Sequence, residues 1–336
     1  MSLRFGFGVT AALVAVALLA CASVAYGSTV IPIADVLTAI GRAVGLVNDG
    51  VTTPVDRIVV DLRLPRAILA IAVGAGLGVI GLLLQTVTRN DLADPFLFGL
   101  SAGAAAGAVA VITRIGDRLG VFTLPIAAFV GGMLATGVVL MLIRRAQGYG
   151  PERLVLAGLA VSFLFTALTN YLVFSGDQRA AHSVLFWTMG GLGLASWQNI
   201  GIGIVGALMA LGYTLYRHRQ LDALLGGEQT AESLGVPVTR LRNLTFLVAS
   251  FSTALLVSIA GVIGFIGLMI PHMARAFAGP LHARLAVASA LLGAALLLGS
   301  DLIARTLLPP QELPVGVVTS SIGAFFIVAM LAYRPR

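Results

Sequence analysis

Ten stretches of this chain are apolar for long enough to cross a bilayer or come close to it, and that one feature decides what the chain can fold into. They lie near residues 6–26, 67–88, 97–113, 121–143, 153–175, 197–216, 243–261, 262–275, 284–307 and 315–333. Such runs are far longer than the four to eight residues of a strand buried in a soluble core. A run of about 20 residues spans a hydrocarbon layer of roughly 30 Å as a helix, because no water is present there to satisfy open backbone groups. The expected fold is therefore an all-α polytopic membrane protein with about ten transmembrane helices, forming a single domain over residues 1–336. The run near 262–275 is short, and residues 180–195 are apolar but too broken by glycine to cross alone. Forty glycines and a mean hydropathy of +1.00 fit helices that approach one another closely in lipid.

All 21 basic side chains are arginine; the chain has no lysine. A phosphate-binding Walker loop and a Schiff base both need a lysine amine, so neither can be built here. The net charge of +7 does not indicate nucleic acid, since these arginines are scattered between apolar runs instead of lining one solvated groove. Cys21 is the only cysteine, which excludes an intrachain disulfide and a multi-cysteine metal site. Leu18-Leu19-Ala20-Cys21 after Arg4 is similar to a lipoprotein leader, but reading this segment as the first membrane helix brings the spans to an even number. With the N-terminus inside, thirteen arginines fall in internal loops and ends and eight outside, which places both termini in the cytoplasm. Arg42, Arg57, Arg63 and Arg66 run against this trend and need a reason of their own. Gly78, Gly81, Leu82 and Arg89 are echoed by Gly264, Gly267, Leu268 and Arg275 at a constant offset of 186 residues, as in transporters built from internal repeats.

Several short polar passages stand out. In Arg63-Leu64-Pro65-Arg66, the proline sets two arginines close together before a span; they can hold acidic partners or anchor the chain at the interface. Gln85-Thr86-Val87-Thr88-Arg89-Asn90-Asp91-Leu92-Ala93-Asp94-Pro95 closes one helix and opens another, as a plain capped loop or a constriction at the inner mouth of a pathway; Asp94 suits an N-cap and Pro95 the first helical position. Pro271-His272 closes the short span; four histidines without a Glu-x-x-His pair assemble no zinc site. Asp301 lies four residues before Arg305, which predicts an ion pair on one helix face, partly solvated near the outer end. Glu312 precedes a helix start, where negative charge is favourable. The longest polar passage is Leu225-Gly226-Gly227-Glu228-Gln229-Thr230-Ala231-Glu232-Ser233-Leu234-Gly235-Val236-Pro237, continuing through Arg240 and Arg242. Its composition predicts two short helices separated by Gly235, lying on the inner face.

Taken together, these passages resemble the FecCD permease family, the membrane subunits of binding-protein-dependent ABC importers for vitamin B12, haem and iron siderophores. The resemblance runs over nearly the whole chain and is carried by Arg63–Arg66, Thr88–Pro95, Phe186–Gly191, Gly261–Leu268, Pro271-His272 and Glu312–Gly316. It implies the type II importer architecture, a second copy of the permease, two ATPase subunits that carry ATP and Mg, a periplasmic binding protein and an inner-membrane location. It implies no cofactor, metal or enzymatic activity in this chain, and it offers a reason for the missing lysine, since nucleotide is held elsewhere. It further implies that residues 222–240 form coupling helices, with Gly227, Glu228, Ala231, Glu232, Leu234, Gly235 and Val236 meeting the ATPase. Arg63, Arg66 and Arg305 would hold acidic residues of the binding protein. Asn90 and Leu92 would form the cytoplasmic gate together with Tyr149 and Gly150, where vitamin B12 relatives carry small hydroxyl residues. Asn170, Phe174, Trp187 and Met189 would line the pathway, whose apolar character leans toward haem over cobalamin or a siderophore. A proton-coupled transporter is the alternative of another class, and would require an acid buried in mid-helix.

Overall fold

A computed structural model of the protein describes residues 3–27, 29–47, 53–116, 118–145, 151–176 and 180–332. Among them the apolar runs become helices α1 (Leu3–Ala25), α3 (Leu64–Thr88), α4 (Leu100–Ala110), α5 (Thr123–Arg145), α6 (Pro151–Ser175), α8 (Ile200–Ala223), α10 (Val238–Ala260), α11 (Ile266–Ala278), α12 (His282–Thr306) and α13 (Val315–Ala332). Shorter helices α2 (Ile33–Ala43), α7 (Ala181–Thr188) and α9 (Glu228–Ser233) occupy connections. No β-strand occurs among the described residues, where pairing is limited to an isolated bridge between Leu308 and Gln311.

By length and composition alone, eight of these helices are long and apolar enough to cross a membrane. The expected spans at 97–113 and 262–275 are the two that fall short: the first is the apolar helix Leu100–Ile115 and the second has 13 residues. Each begins after a left-handed residue, Gly99 at φ +79° and Phe265 at φ +68°. Glycine takes that conformation freely; phenylalanine does so against its Cβ, so surrounding packing must hold it there. The expected second short helix after Gly235 does not exist as a separate element. Pro237 caps α10, which runs unbroken from Val238, because nothing after the proline interrupts the helical run.

α3 is the axis of the molecule. It packs against α1, α8, α10, α11 and α12, and 83 % of its most apolar window is buried. Its glycines explain how five helices come so close. A Cβ at Gly78 would lie 2.6 Å from the carbonyl oxygen of Ser289, and one at Gly74 or Gly81 would collide with the carbonyl of Gly293 or Gly267. The echo in the sequence thus has a physical meaning, because Gly81 and its counterpart Gly267 touch where α3 crosses α11. α4, α5 and α6 form a second packed group that joins the first through α10.

The outer connection after α1 contains an element that the composition did not reveal. α2 buries Val36, Ala39 and Gly41 on one face, and Arg42 pairs with Asp56 at 3.2 Å. Asp56 closes a capping box with Thr53 at the start of Pro54–Arg57, which continues through a wider π-helical turn, Ile58–Arg63, into α3. Arg42 therefore fastens this connection.

Candidate functional site at the two ends of helix α3

At the N-terminal end of α3, Arg63, Arg66 and Arg305 do come together, as the sequence led us to expect. In this structure they are turned inward. Arg63, 6 % exposed, donates to the carbonyl oxygens of Val24 (2.9 Å), Ala25 (2.7 Å) and Thr29. Arg305, 3 % exposed, donates to the carbonyl and hydroxyl of Ser23 at 3.0 and 2.7 Å. The last carbonyls of a helix have no partner within it, and these two arginines satisfy those at the end of α1. Arg66 holds Asp301 through Nε at 3.0 Å and Nη2 at 2.9 Å, and reaches Glu312 through Nη1 at 2.7 Å. Asp301 also contacts Arg305, Nε to Oδ2 at 3.1 Å, as an ion pair outside hydrogen-bond geometry.

The pair of Asp301 with Arg305 was expected, but its surroundings differ. Asp301 is fully buried, not partly solvated, because α1 and α3 cover this turn of α12. A buried carboxylate held between two guanidinium groups is tied up in structural ion pairs. Three arginines against Asp301 and Glu312 leave the cluster with one net positive charge. Its most accessible cation is Arg66, whose side chain is 13 % exposed beside that of Glu312 at 38 %.

At the C-terminal end of α3, the polar passage folds as a compact corner. Gly227 at φ +96° and Gly235 at φ +79° bracket α9, and Ala231 is completely buried beneath it. Glu232, Leu234 and Gly235 face outward, while Val236 is half-buried. A cavity of about 730 Å³ opens beside this corner, lined in part by Arg144, Glu232, Val236 and Arg240. The corner is tied to the last turn of α3. Glu228 accepts from Arg242 at 2.6 Å, and Arg242 also donates to the carbonyl of Val87 at 3.3 Å. Glu228 meets Arg89 at 3.9 Å. Asp222, at the start of the passage, accepts from the His282 backbone at 2.8 Å and lies 2.7 Å from its ring Nδ1. The other ring nitrogen is 2.8 Å from the Thr86 hydroxyl.

The loop after α3 is held in the same way. Arg89 caps the helix at φ 50°, Asn90 accepts the Leu92 amide at 3.0 Å, and Asp91 pairs with Arg275 at 3.2 Å. Arg275 donates to Gln85 at 3.0 Å. Asp94 is the predicted cap, accepting from the Phe96 amide at 3.0 Å, but it caps the short turn Pro95–Phe98 and not a full span. It also receives the Leu268 amide from α11. Leu92 is 49 % exposed. Tyr149 and Gly150, the other expected gate residues, lie outside the described residues.

A model described as the FecCD transport family matches residues 14–333. The chain belongs to the FecCD transport family. It is 40 % identical over 274 residues to the Fe(3+) dicitrate transport system permease protein FecD of Escherichia coli, covering 82 % of this chain and 85 % of that one. It is 36 % identical over 280 residues to the hemin transport system permease protein HmuU of Yersinia pestis (82 % and 84 % covered). It is 39 % identical over 290 residues to the cobalamin import system permease protein BtuC of Halobacterium salinarum (85 % and 76 % covered). Among solved structures, an inward-facing ABC transporter described as of the metal-chelate type superposes with a TM-score of 0.83 at 27 % identity, over 97 % of this chain and 99 % of that one. The chain is thus a multi-pass membrane permease subunit of the ABC-importer kind.

Within this FecCD permease the expected pathway residues divide. Asn170 and Phe174 lie on one exposed face of α6, Phe174 at 91 %. Met189 is partly exposed below α7, whereas Trp187 turns into the protein and packs with Ala104, Ala105, Ala108, Ala128 and Val257. His272 stacks edge-on against Phe326 of α13 at 5.7 Å, a packing role. No group of three or more His, Cys, Asp or Glu side chains among the described residues is placed to hold a metal. Sequence reasoning missed Gln85, Asp222, Arg242, Arg275 and His282 as parts of the inner network. The repeat did carry a trace of it, since Arg89 and Arg275 are matched positions that both pair with acids, Glu228 and Asp91.

Proposed function

We propose that this permease pairs with a second copy of itself and with two ATPase subunits, and carries an iron chelate, haem in the first instance, across a bacterial inner membrane. A loaded binding protein docks on the outer face around Arg63, Arg66 and Arg305, with Arg66 as its charged contact. The other two arginines hold the end of α1 so that the face has one shape. ATP and Mg reside on the partner ATPase, whose closure pushes α9 and the rest of residues 222–240. Both chain termini lie in the cytoplasm. Cargo moves along the face of α6 that carries Asn170 and Phe174, past Met189, to a gate at Asn90 and Leu92 with Tyr149 and Gly150. Each step is a shift between inward- and outward-facing populations, driven by the difference in ATP affinity between them.

The observation that carries this proposal is the bracketed corner at α9: a polar helix fixed by two left-handed glycines, seated on a buried Ala231 and salt-bridged through Glu228 to the core. A solvated loop needs none of these. The test is Ala231→Pro in the complex reconstituted in liposomes. Proline removes the hydrogen bond that the Ala231 N–H donates to the Gly227 carbonyl, 3.0 Å, and breaks a helix at a cost of about 3 kcal/mol. ATP hydrolysis should continue while uptake falls to background. Uptake at the unmodified level would refute the coupling role. Haem, cobalamin and ferric siderophores, each presented on the binding protein, are then compared for stimulation of hydrolysis; stimulation by cobalamin alone would overturn the choice of an iron chelate.

The largely apolar character of the α6 face, which carries Phe174 beside the single amide of Asn170, supports haem over a heavily hydroxylated cargo, since a wall with few fixed polar groups does not grip a flat hydrophobic ligand. A proton-coupled mechanism has no support in the geometry, because the buried acid Asp301 is saturated by arginine.

A further inference from the structure

Four of the last five residues of the α3 turn and its cap each hold a different part of the inner network. Gln85 holds α11 through Arg275 and donates to the carbonyls of Gly267 and Leu268, both at 3.1 Å. Thr86 holds His282, Val87 holds Arg242 through its carbonyl, and Arg89 meets Glu228. Glu228 itself presents one oxygen, Oε1, to two guanidinium groups of unequal grip. Arg242 is close, at 2.6 Å, and its side chain is 8 % exposed; Arg89 is distant, at 3.9 Å, and its side chain is 51 % exposed.

These grips differ in what they can do during a movement. A short pair with a buried partner is costly to break and travels with its helix. A long, half-solvated pair is nearly free to make or lose. Arg89 is also the residue whose backbone leaves α3 in the left-handed region, so its side chain and the direction of the following chain are set together. The residues that follow at once are Asn90, Asp91 and Leu92.

We propose that Arg89 is the positioning residue through which displacement of α9 reaches the gate loop: Glu228 stays with Arg242 through the cycle, and the Glu228–Arg89 contact closes or opens as α9 moves, turning the chain at Arg89 and with it Leu92. This rests on the reading of α9 as the ATPase contact. Asp222 and His282 fasten the other end of the passage to Thr86, so that α9 pivots instead of sliding as a whole.

The test uses the full complex in proteoliposomes. In a Cys21→Ser background, Leu92→Cys reports the gate loop by its labelling with a membrane-impermeant maleimide from the cytoplasmic side, with and without ATP. Arg89→Gln should shrink the ATP-dependent change in labelling about 1.5- to 5-fold, the population ratio that an exposed ion pair can hold, while the complex still assembles and hydrolyses ATP. Glu228→Gln should act in the same direction, and Arg89→Lys should retain most of the response. If Arg89→Gln keeps the full response while Ala231→Pro loses it, the relay through Arg89 is wrong and the coupling role of α9 stands. If both keep it, the coupling role fails and the relay with it. If Arg89→Lys is as poor as Arg89→Gln, charge is not what matters at this position and the proposal is overturned.

Discussion

Asp301→Asn removes the one charge on which the outer cluster is balanced. Asp301 is fully buried and contacts Arg66 at 2.9 and 3.0 Å and Arg305 at 3.1 Å. At an effective dielectric of about 20, each such contact is worth about 4 kcal/mol before desolvation. The arginines have already given up their water, which they do not regain when the partner is lost. Breaking a buried pair from one side costs about 3–5 kcal/mol for this reason, a large part of the roughly 5–15 kcal/mol that holds a typical domain together. At roughly 2 °C per kcal/mol for a chain of this size, the apparent midpoint of thermal unfolding should fall by about 6–10 °C. The assay is size-exclusion of detergent-solubilised protein after heating. Asp301→Asn combined with Arg66→Gln restores the original net charge of the cluster and should recover about half of the loss. A midpoint within about 1 °C of the unmodified protein, or a double variant whose loss is the sum of two separate losses, would refute the view of this cluster as a balanced, buried unit.

Other outcomes follow from the same geometry. Gly81→Ala forces α3 away from the carbonyl of Gly267 and should destabilise the protein by about 1–3 kcal/mol, the usual cost of overpacking, whereas Gly212→Ala on α8 meets nothing within 4 Å and should be neutral in the same heating assay. Arg66→Glu should weaken capture of the binding protein by the intact complex, measured by surface-immobilised permease. Arg63→Gln should act mainly on stability, through the freed carbonyls of Val24 and Ala25. Gln85→Leu should disturb the gate and not the docking face, since it removes the partner of Arg275 and leaves the outer cluster 20 residues away untouched; uptake falls while binding-protein capture stays constant.

The helix count was legible because lipid enforces it, and the places where it failed share one cause. Leu100–Ile115 and Ile266–Ala278 read as spans by hydropathy, which is blind to the left-handed residues at Gly99 and Phe265 that start them late. The polar island between α8 and α10 was readable because Gly227 and Gly235 are turn residues with a mechanism, and the arginines at 63, 66 and 305 because proline and helical spacing put them at one end. What they bind was not readable. Whether an arginine faces outward to a partner or inward to the frayed end of α1 depends on where Ser23, Val24 and Ala25 come to rest, and no local pattern records that. The inner network was hidden for the same reason: Asp222 and His282 are 60 residues apart, and Thr86 is farther still from His282.

The arginine cluster and the α9 corner lie at opposite ends of one helix, so if the proposed docking and coupling roles hold, both act on α3. α3 has 25 residues, about 37 Å of rise, and its glycines bring it against carbonyl oxygens of its neighbours with no side chain between to absorb a shift. Two binding events that bias the same stiff strut are thermodynamically reciprocal: the factor by which a docked binding protein changes the affinity of the complex for nucleotide is the factor by which nucleotide changes the affinity for the binding protein. Measuring either affinity in the presence of the other ligand therefore fixes both, and a permease in which α3 has been loosened at Gly81 should lose the two couplings by the same amount.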